Sequence, residues 1–367
     1  MHSINTIHAD GRVVFSFEHP QTCVPFGVAI NCPIAASLHE RQAALRSEHR
    51  AWARRFDLFG DSERYERYCA TRFDELIGYQ YHGWSLELAV VASHLMTWFF
   101  VFDDNMDIDH ALEPAAKRYT LALAKRHVDL LEGGTVQSGD PSVVLAFADF
   151  LAQVRALAGA RHSRWYQRMT HHLKEYVYGT IWECTAGPTT AERANTATYM
   201  QVRHMAVGVA PCHDLMALAA DVDARAVDGS FFVQRLERLA INYSIWINDL
   251  AGLSRDLKSG LANVIFTLQK DHSLSLEEGA GFVARMCDGE LAAYFQLEAQ
   301  LPVLLESWSS TSRDVLAYAD VLRRWMRGLL DWSARSARYQ RLEIDMSLQS
   351  ADTIQNAASK YASSIAG

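Results

Sequence analysis

Proline is scarce in this chain, eight in 367 residues, and Asn-Gly or Asp-Gly pairs are few. That scarcity excludes a fold built on many tight turns. The six cysteines, Cys23, Cys32, Cys69, Cys184, Cys212 and Cys287, make no C-x-x-C pair and no Cys/His zinc spacing. They read as separate, reduced thiols of a cytosolic protein. Positive charge is not in excess either. The formal net charge is -8, acidic and basic residues are interspersed, and no basic face marks a nucleic-acid binder. The opening "MHSINTIHADGRVVF" lacks the basic region and apolar run of a signal peptide. No apolar stretch is expected to reach the ~20 residues that a membrane span needs. The expectation is a soluble, cytoplasmic protein with no nucleic-acid partner and no membrane span.

Apolar side chains, by contrast, are plentiful. The chain is 49% hydrophobic, and long segments repeat apolar residues every three or four positions, the period of helices. Helices are expected over about 36–56, 85–107, 113–131, 141–157, 163–184, 195–220, 230–257, 261–269, 276–301 and 312–335, with a short one before "GYQYHG". "GGTVQSGDP" and "TAGPTT" are the clearest interruptions. Residues 1–35 hold three of the eight prolines and read as an extended arm. Residues 341–367 are polar and rich in small side chains, and read as a mobile tail. With no internal repeat and no break in composition, residues 36–340 are expected to form one all-α domain, a helical bundle.

Two of the most apolar helices end in acids. "FFVFDDNMDIDH" places Asp103, Asp104, Asp107 and Asp109 after a run of aromatics. Asp103 and Asp107 are four apart, so they share a helix face, where like charges repel. Either they face water or they hold a cation. The second site is "INDLAGLSRDLKSG", where Asn248, Gly252 and Asp256 fall at i, i+4 and i+8 on one face. Oxygen donors of this kind suit a hard divalent ion, and Mg²⁺ commonly completes its shell with water and substrate phosphate. Phosphate in turn favours arginine. The candidates are Arg203, Arg255 and Arg338, each of which could equally lie on the surface. His94, His204 and His213 show no mutual metal spacing and read as core or surface groups.

With these residues in view, the sequence resembles a class I terpene synthase of the bacterial cyclase type, from about Pro25 to Tyr339. "DDNMD" (103–107) is similar to the family's DDxxD motif, and "NDLAGLSRD" (248–256) to its N-D-x-x-S-x-x-x-E motif. "RHMAVG" (203–208) stands where the family places a diphosphate-sensing arginine, and "DWSARSARY" (331–339) resembles its C-terminal W…RY signature. The resemblance implies an α-helical bundle around a central apolar cavity. It implies a metal site of three Mg²⁺ ions on Asp103, Asp104, Asp107, Asn248, Gly252 and Asp256. Arg203, Arg255, Arg338 and Tyr339 would hold diphosphate. Phe99, Phe100 and Trp332 would line the pocket, with Val207, Gly208 and Trp246 as further lining candidates. There are departures: Gly252 stands for Ser, Asp256 for Glu, and His204 and Ala206 for the usual Arg and Thr. With Gly252, one metal ligand would have to come from water.

The implied reaction is ionisation of a prenyl diphosphate, cyclisation of the carbocation in a dry pocket, and release of diphosphate. Farnesyl diphosphate is the favoured substrate, giving a sesquiterpene hydrocarbon or alcohol. Geranylgeranyl diphosphate or a labdane-type cyclic diphosphate is the alternative, and a non-catalytic prenyl-diphosphate-binding protein is another. A chain-elongating prenyltransferase would carry a second Asp-rich motif in place of "NDLAGLSRD". A homodimer is possible, with no sequence feature to mark it.

Overall fold

The computed structural model describes residues 5–106, 114–185, 195–228, 230–306 and 312–340. The segment 341–367, expected as a tail, lies outside the described residues. The N-terminal segment, expected as an arm, forms a small sheet. Strands β1 (Thr6–Ile7), β2 (Arg12–Glu18) and β3 (Pro25–Asn31) pair antiparallel in that order. The cause is alternation in "RVVFSFE": Val13, Phe15 and Phe17 are buried on one face, and Val28 and Ile30 join them from β3. Phe15 pairs with Val28 and Val13 with Ile30.

Fifteen helices follow among the described residues. They are α1 (Gln42–Arg55), α2 (Ser62–Thr71), α3 (Phe73–Tyr81), α4 (Leu86–Met106), α5 (Pro114–Leu131), α6 (Ser142–Ala158), α7 (Ser163–Thr185) and α8 (Thr196–Ala206). Then come α9 (Val209–Ala219), α10 (Ala224–Asp228), α11 (Phe231–Ser259), α12 (Val264–His272), α13 (Leu276–Glu306), α14 (Ser312–Arg335) and α15 (Ala337–Gln340). The sheet packs on α11, α13 and α14. Arg327 of α14 fastens it, donating to the carbonyls of Gly11 (2.9 Å) and Cys32 (3.0 Å) while paired with Asp331.

Two breaks differ from the expected helices. The short helix before "GYQYHG" is two helices, and that motif lies largely inside α3. Arg72, at φ 58°, turns the chain between them. The expected helix 195–220 is interrupted at Val207–Gly208, where Gly208 adopts φ 66°. A Cβ there would lie 3.0 Å from a Phe99 ring carbon, so glycine serves both the left-handed turn and the close approach.

Helix α4 corrects another expectation. It has 21 residues and is apolar enough, by length and composition, to cross a membrane. In the fold it is a core helix, flanked by α1, α3, α6, α7 and α9 and buried on most faces. Helix α11 lies among α8, α12, α13 and α14. It starts at a Ser230 N-cap and ends at Gly260, φ 66°.

Beside these helices lies a partly buried ionic cluster around the fully buried Asp214. Arg168 (α7) donates to Asp214 of α9 (2.9 Å), Asp228 of α10 (2.9 Å) and Glu237 of α11 (3.1 Å). Tyr318 of α14 donates to Glu237 at 2.6 Å, and His172 Nδ1 lies 2.6 Å from Asp214.

His94 and His213 are core groups, as the sequence suggested, while His204 is half-buried. His213 is fully buried, neither ring nitrogen has a protein partner, and burial lowers its pKa to about 3. An unfolded histidine titrates near 6.5, so acid protonates the unfolded chain first and stability is lost as pH falls below that value. His213→Leu removes this term. Relative to the parent, it should gain about 1.4 kcal/mol between pH 7.5 and pH 5.5, read from urea midpoints. A pH-independent difference would contradict the assignment of a buried neutral imidazole.

Candidate active site

The last described turn of α4 brings Asp103 to the edge of a cavity that its own Phe99 and Phe100 help to line. Burial and the neighbouring Asp104 carboxylate raise the Asp103 pKa, against the pull of Arg338, Arg255 and Arg203. Asp104 is buried and accepts from Arg338 Nη2 at 3.4 Å. Asp107 lies outside the described residues.

Helix α11 supplies the opposite side. Asn248 Oδ1 accepts from Arg203 Nη2 at 2.6 Å, and its Nδ2 donates to Tyr339 Oη at 3.3 Å. Two turns on, Asp256 accepts from Arg255 Nε (3.0 Å) and Nη2 (2.8 Å), and from Asn263 Nδ2 (2.9 Å). Gly252 lies between them. A Cβ at Gly252 would sit 2.9 Å from Asp256 Oδ2, so the missing side chain is what lets this carboxylate fold back along the helix. Asn248 and Arg255 line the cavity; Gly252 and Asp256 do not.

Four groups from three distant stretches of sequence therefore meet at one end of the cavity: Arg203, Arg255, Arg338 and Tyr339. The Nε atoms of Arg203 and Arg338 are buried with no protein partner. Buried guanidinium donors without partners are costly, and an anion at this end of the cavity would satisfy them. The Arg338 guanidinium also lies 4.6 Å from the centre of the Phe100 ring.

The rest of the wall is apolar. The cavity and its open mouth together hold about 760 Å³ of empty space, and Phe99, Phe100, Trp332, Val207 and Gly208 all line it. Trp332 is held by its Nε1, which donates to the Thr71 carbonyl at 2.7 Å. Phe100 stacks on Phe73 at 4.2 Å, and Phe99 meets Tyr176 edge-on at 4.6 Å. Trp246 is the exception. It is buried but does not line the cavity. Ser244 and Asn248 do, four apart on one face of α11, and position 246 points away from that face at 100° per residue.

Sequence reading missed several groups. Asp249 is buried and accepts from Tyr199 Oη (2.7 Å), Arg203 (3.3 Å) and the Val264 amide (3.0 Å), joining α8, α11 and α12. Its place inside "ND" was visible, but not that it faces away from the cavity. Glu183 on α7 has its pKa raised to about 7, first by burial; Arg203 opposes this, and Asp103, Asp249 and Asp256 add to it. Ser244, Met96 and Trp325 at the far end carried no motif at all.

Among the described residues no three His, Cys, Asp or Glu side chains form a ready metal cage. The donors present still fit a hard cation. Asp103 and Asn248 offer oxygens to the cavity beside arginines with unpartnered nitrogens, and Asp256 would join them on releasing Arg255, the composition for an ion bound through few protein oxygens and an anionic substrate.

Known proteins resemble this chain in sequence and in fold. The family described as terpene synthase family 2, C-terminal metal binding, matches residues 94–293. Germacrene A synthase of Nostoc punctiforme is 24% identical over 318 residues, 85% of this chain and 94% of that protein. The (+)-T-muurolol synthase ((2E,6E)-farnesyl diphosphate cyclizing) of Roseiflexus castenholzii is 26% identical over 291 residues, 79% of this chain and 86% of that protein. The crystal structure of linalool/nerolidol synthase from Streptomyces clavuligerus, in complex with 2-fluorogeranyl diphosphate, superposes with a TM-score of 0.69. It is 25% identical and covers 81% of this chain and 100% of its own. The chain belongs to terpene synthase family 2 and is a class I terpene synthase of the bacterial type, a lyase acting on diphosphates.

Proposed function

We propose that this enzyme is a Mg²⁺-dependent cyclase of farnesyl diphosphate, releasing diphosphate and a sesquiterpene hydrocarbon or alcohol. The observation that carries the reading is the pair of unpartnered, buried arginine Nε atoms at one end of an otherwise aromatic cavity. One end is built for an anion and the other for a hydrocarbon. Asp103 and Asp104 on one side and Asn248 and Asp256 on the other, together with Asp107 outside the described residues, are the groups that would hold metal. Bound there, Mg²⁺ would supply Lewis-acid neutralisation of the leaving diphosphate.

This chain's own residues do the rest. Arg203, Arg255, Arg338 and Tyr339 would donate to diphosphate oxygens as the C–O bond breaks, where negative charge develops. Arg203 must then exchange its bond to Asn248, and Arg255 its bond to Asp256, for bonds to substrate. Phe99, Phe100 and Trp332 present ring faces and edges that stabilise positive charge and exclude water. Farnesyl as the substrate is supported by the relative whose name specifies farnesyl diphosphate cyclisation.

The test is incubation with geranyl, farnesyl and geranylgeranyl diphosphates, each with and without Mg²⁺, followed by gas chromatography–mass spectrometry and diphosphate assay. A cyclic C15 product from farnesyl diphosphate, lost on chelation, is expected. Diphosphate left intact with all three substrates would overturn the proposal.

A further inference from the structure

The aromatic cavity is not the only space along the bundle axis. Behind it lies a second, narrow gap, scarcely the size of one water, lined by Ile77, Gln80, Tyr81, Ala92, Leu95 and Met216 among others. Met96, Cys212 and Trp325 line both. They form the partition, one residue each from α4, α9 and α14.

The partition lies at the end of the main cavity opposite the arginines. Met96 is seven residues before Asp103 on α4, and Trp325 is seven before Trp332 on α14. Seven helical residues are roughly 10 Å. Ser244 lies one turn before Asn248 on α11. Moving away from the anion end along three helices leads to the same floor.

The floor is held rigidly. Trp325 Nε1 donates to Ser244 Oγ at 2.8 Å, and Ser244 donates to the Ala240 carbonyl at 2.7 Å. His213 packs edge-on against the indole, ring centres 5.3 Å apart. Behind it, α3 and α14 are already in close contact: a Cβ on Gly328 would lie 2.9 Å from Gln80 Cγ. The indole therefore has a fixed rotamer and tight backing, and an incoming chain cannot easily push it aside.

We infer that Trp325, with Met96 and Cys212, sets substrate chain length. The indole stops the pocket at a depth that admits a farnesyl chain and excludes one five-carbon unit longer. The gap behind the floor is too small for that unit by itself, so the volume of the indole is the room that the longer chain would need. This rests on the proposed function, since it takes the arginine end as the diphosphate end. An overfilled pocket rejects added methylenes strongly, whereas an enlarged one merely holds the shorter chain less well. Removing the wall should therefore shift the preference toward the longer substrate.

The test is kcat/KM for farnesyl and geranylgeranyl diphosphate in the parent, Trp325→Leu and the milder Met96→Ala, with thermal melts to confirm folding and product analysis of each. Leu329→Ala, which enlarges the main cavity without touching the partition, is the control. The geranylgeranyl-to-farnesyl ratio should rise at least tenfold in Trp325→Leu and several-fold in Met96→Ala, and change little in the control. An active parent with an unmoved ratio in both folded wall variants, or an equal rise in the control, overturns the chain-length inference alone. A parent that uses both substrates equally well does the same. A parent that leaves every prenyl diphosphate intact overturns the functional reading, and the inference with it.

Discussion

Asp103→Ala is expected to lower the rate of diphosphate release from farnesyl diphosphate by at least about 10³-fold, worth about 4 kcal/mol of transition-state stabilisation. The melting temperature should stay the same or rise. These two outcomes belong together. Asp103 is held at the cavity rim against its own solvation, with Asp104 next to it, and both effects raise its pKa. Its ionised carboxylate is thus a net burden on the folded chain without metal, and alanine removes that burden. The same carboxylate is the one described acid on α4 that lines the cavity. Asp104→Ala supplies the contrast. That carboxylate accepts from Arg338, so its loss should lower the melting temperature. Activity of Asp103→Ala within tenfold of the parent would refute the assignment of Asp103 to the metal.

Much of the site was legible because helical spacing converts directly into geometry. Asn248, placed by its motif on a helix face, and Arg203, placed by the family resemblance, are 45 residues apart in sequence and 2.6 Å apart in the fold. The spacing argument failed where a side chain's aim depends on its neighbours. Asp256 shares a face with Asn248, yet Asn263 and Arg255 draw its carboxylate away from the cavity, and Gly252 leaves room for that. Trp246 was chosen for its ring and its nearness to the motif, but two residues' rotation from Ser244 puts it in the core. The fold shows the same division. Helical period placed the long helices to within a few residues. The sheet was missed because prolines outweighed the alternation in "RVVFSFE". The break at Gly208 was missed because a single glycine inside an apolar pattern does not announce a left-handed turn. The floor formed by Met96, Cys212 and Trp325 comes from three separate helices, and no local pattern joins them.

The largest stability effect is expected at Arg168, far from any motif. Arg168→Met should cost about 3–5 kcal/mol, the range for breaking a buried ion pair by removing one partner, read as a fall in the urea midpoint. Arg168 opposes three carboxylates on three helices, and Asp214 is fully buried. Methionine fills similar space but leaves Asp214 with only His172, and Asp228 with Arg164, as described cationic partners. Burial alone would lower the His172 pKa, but its bond to Asp214 and the surrounding acids raise it, while Arg168 holds it back. Removing Arg168 lifts it further. A histidine with a raised folded pKa contributes stability that is fully present below about 6.5 and is lost as pH rises through the folded value. The variant should therefore lose more relative to the parent at pH 8.5 than at pH 6. Arg161→Met is the comparison: Arg161 pairs with Asp221 through a side chain that is 72% exposed, and its loss should cost under about 1 kcal/mol. Equal, small losses at both positions would show that the cluster contributes no more than a surface pair. A large loss at Arg168 alone would establish it as the clamp that holds α9, and with it Val209 and Cys212, against the cavity.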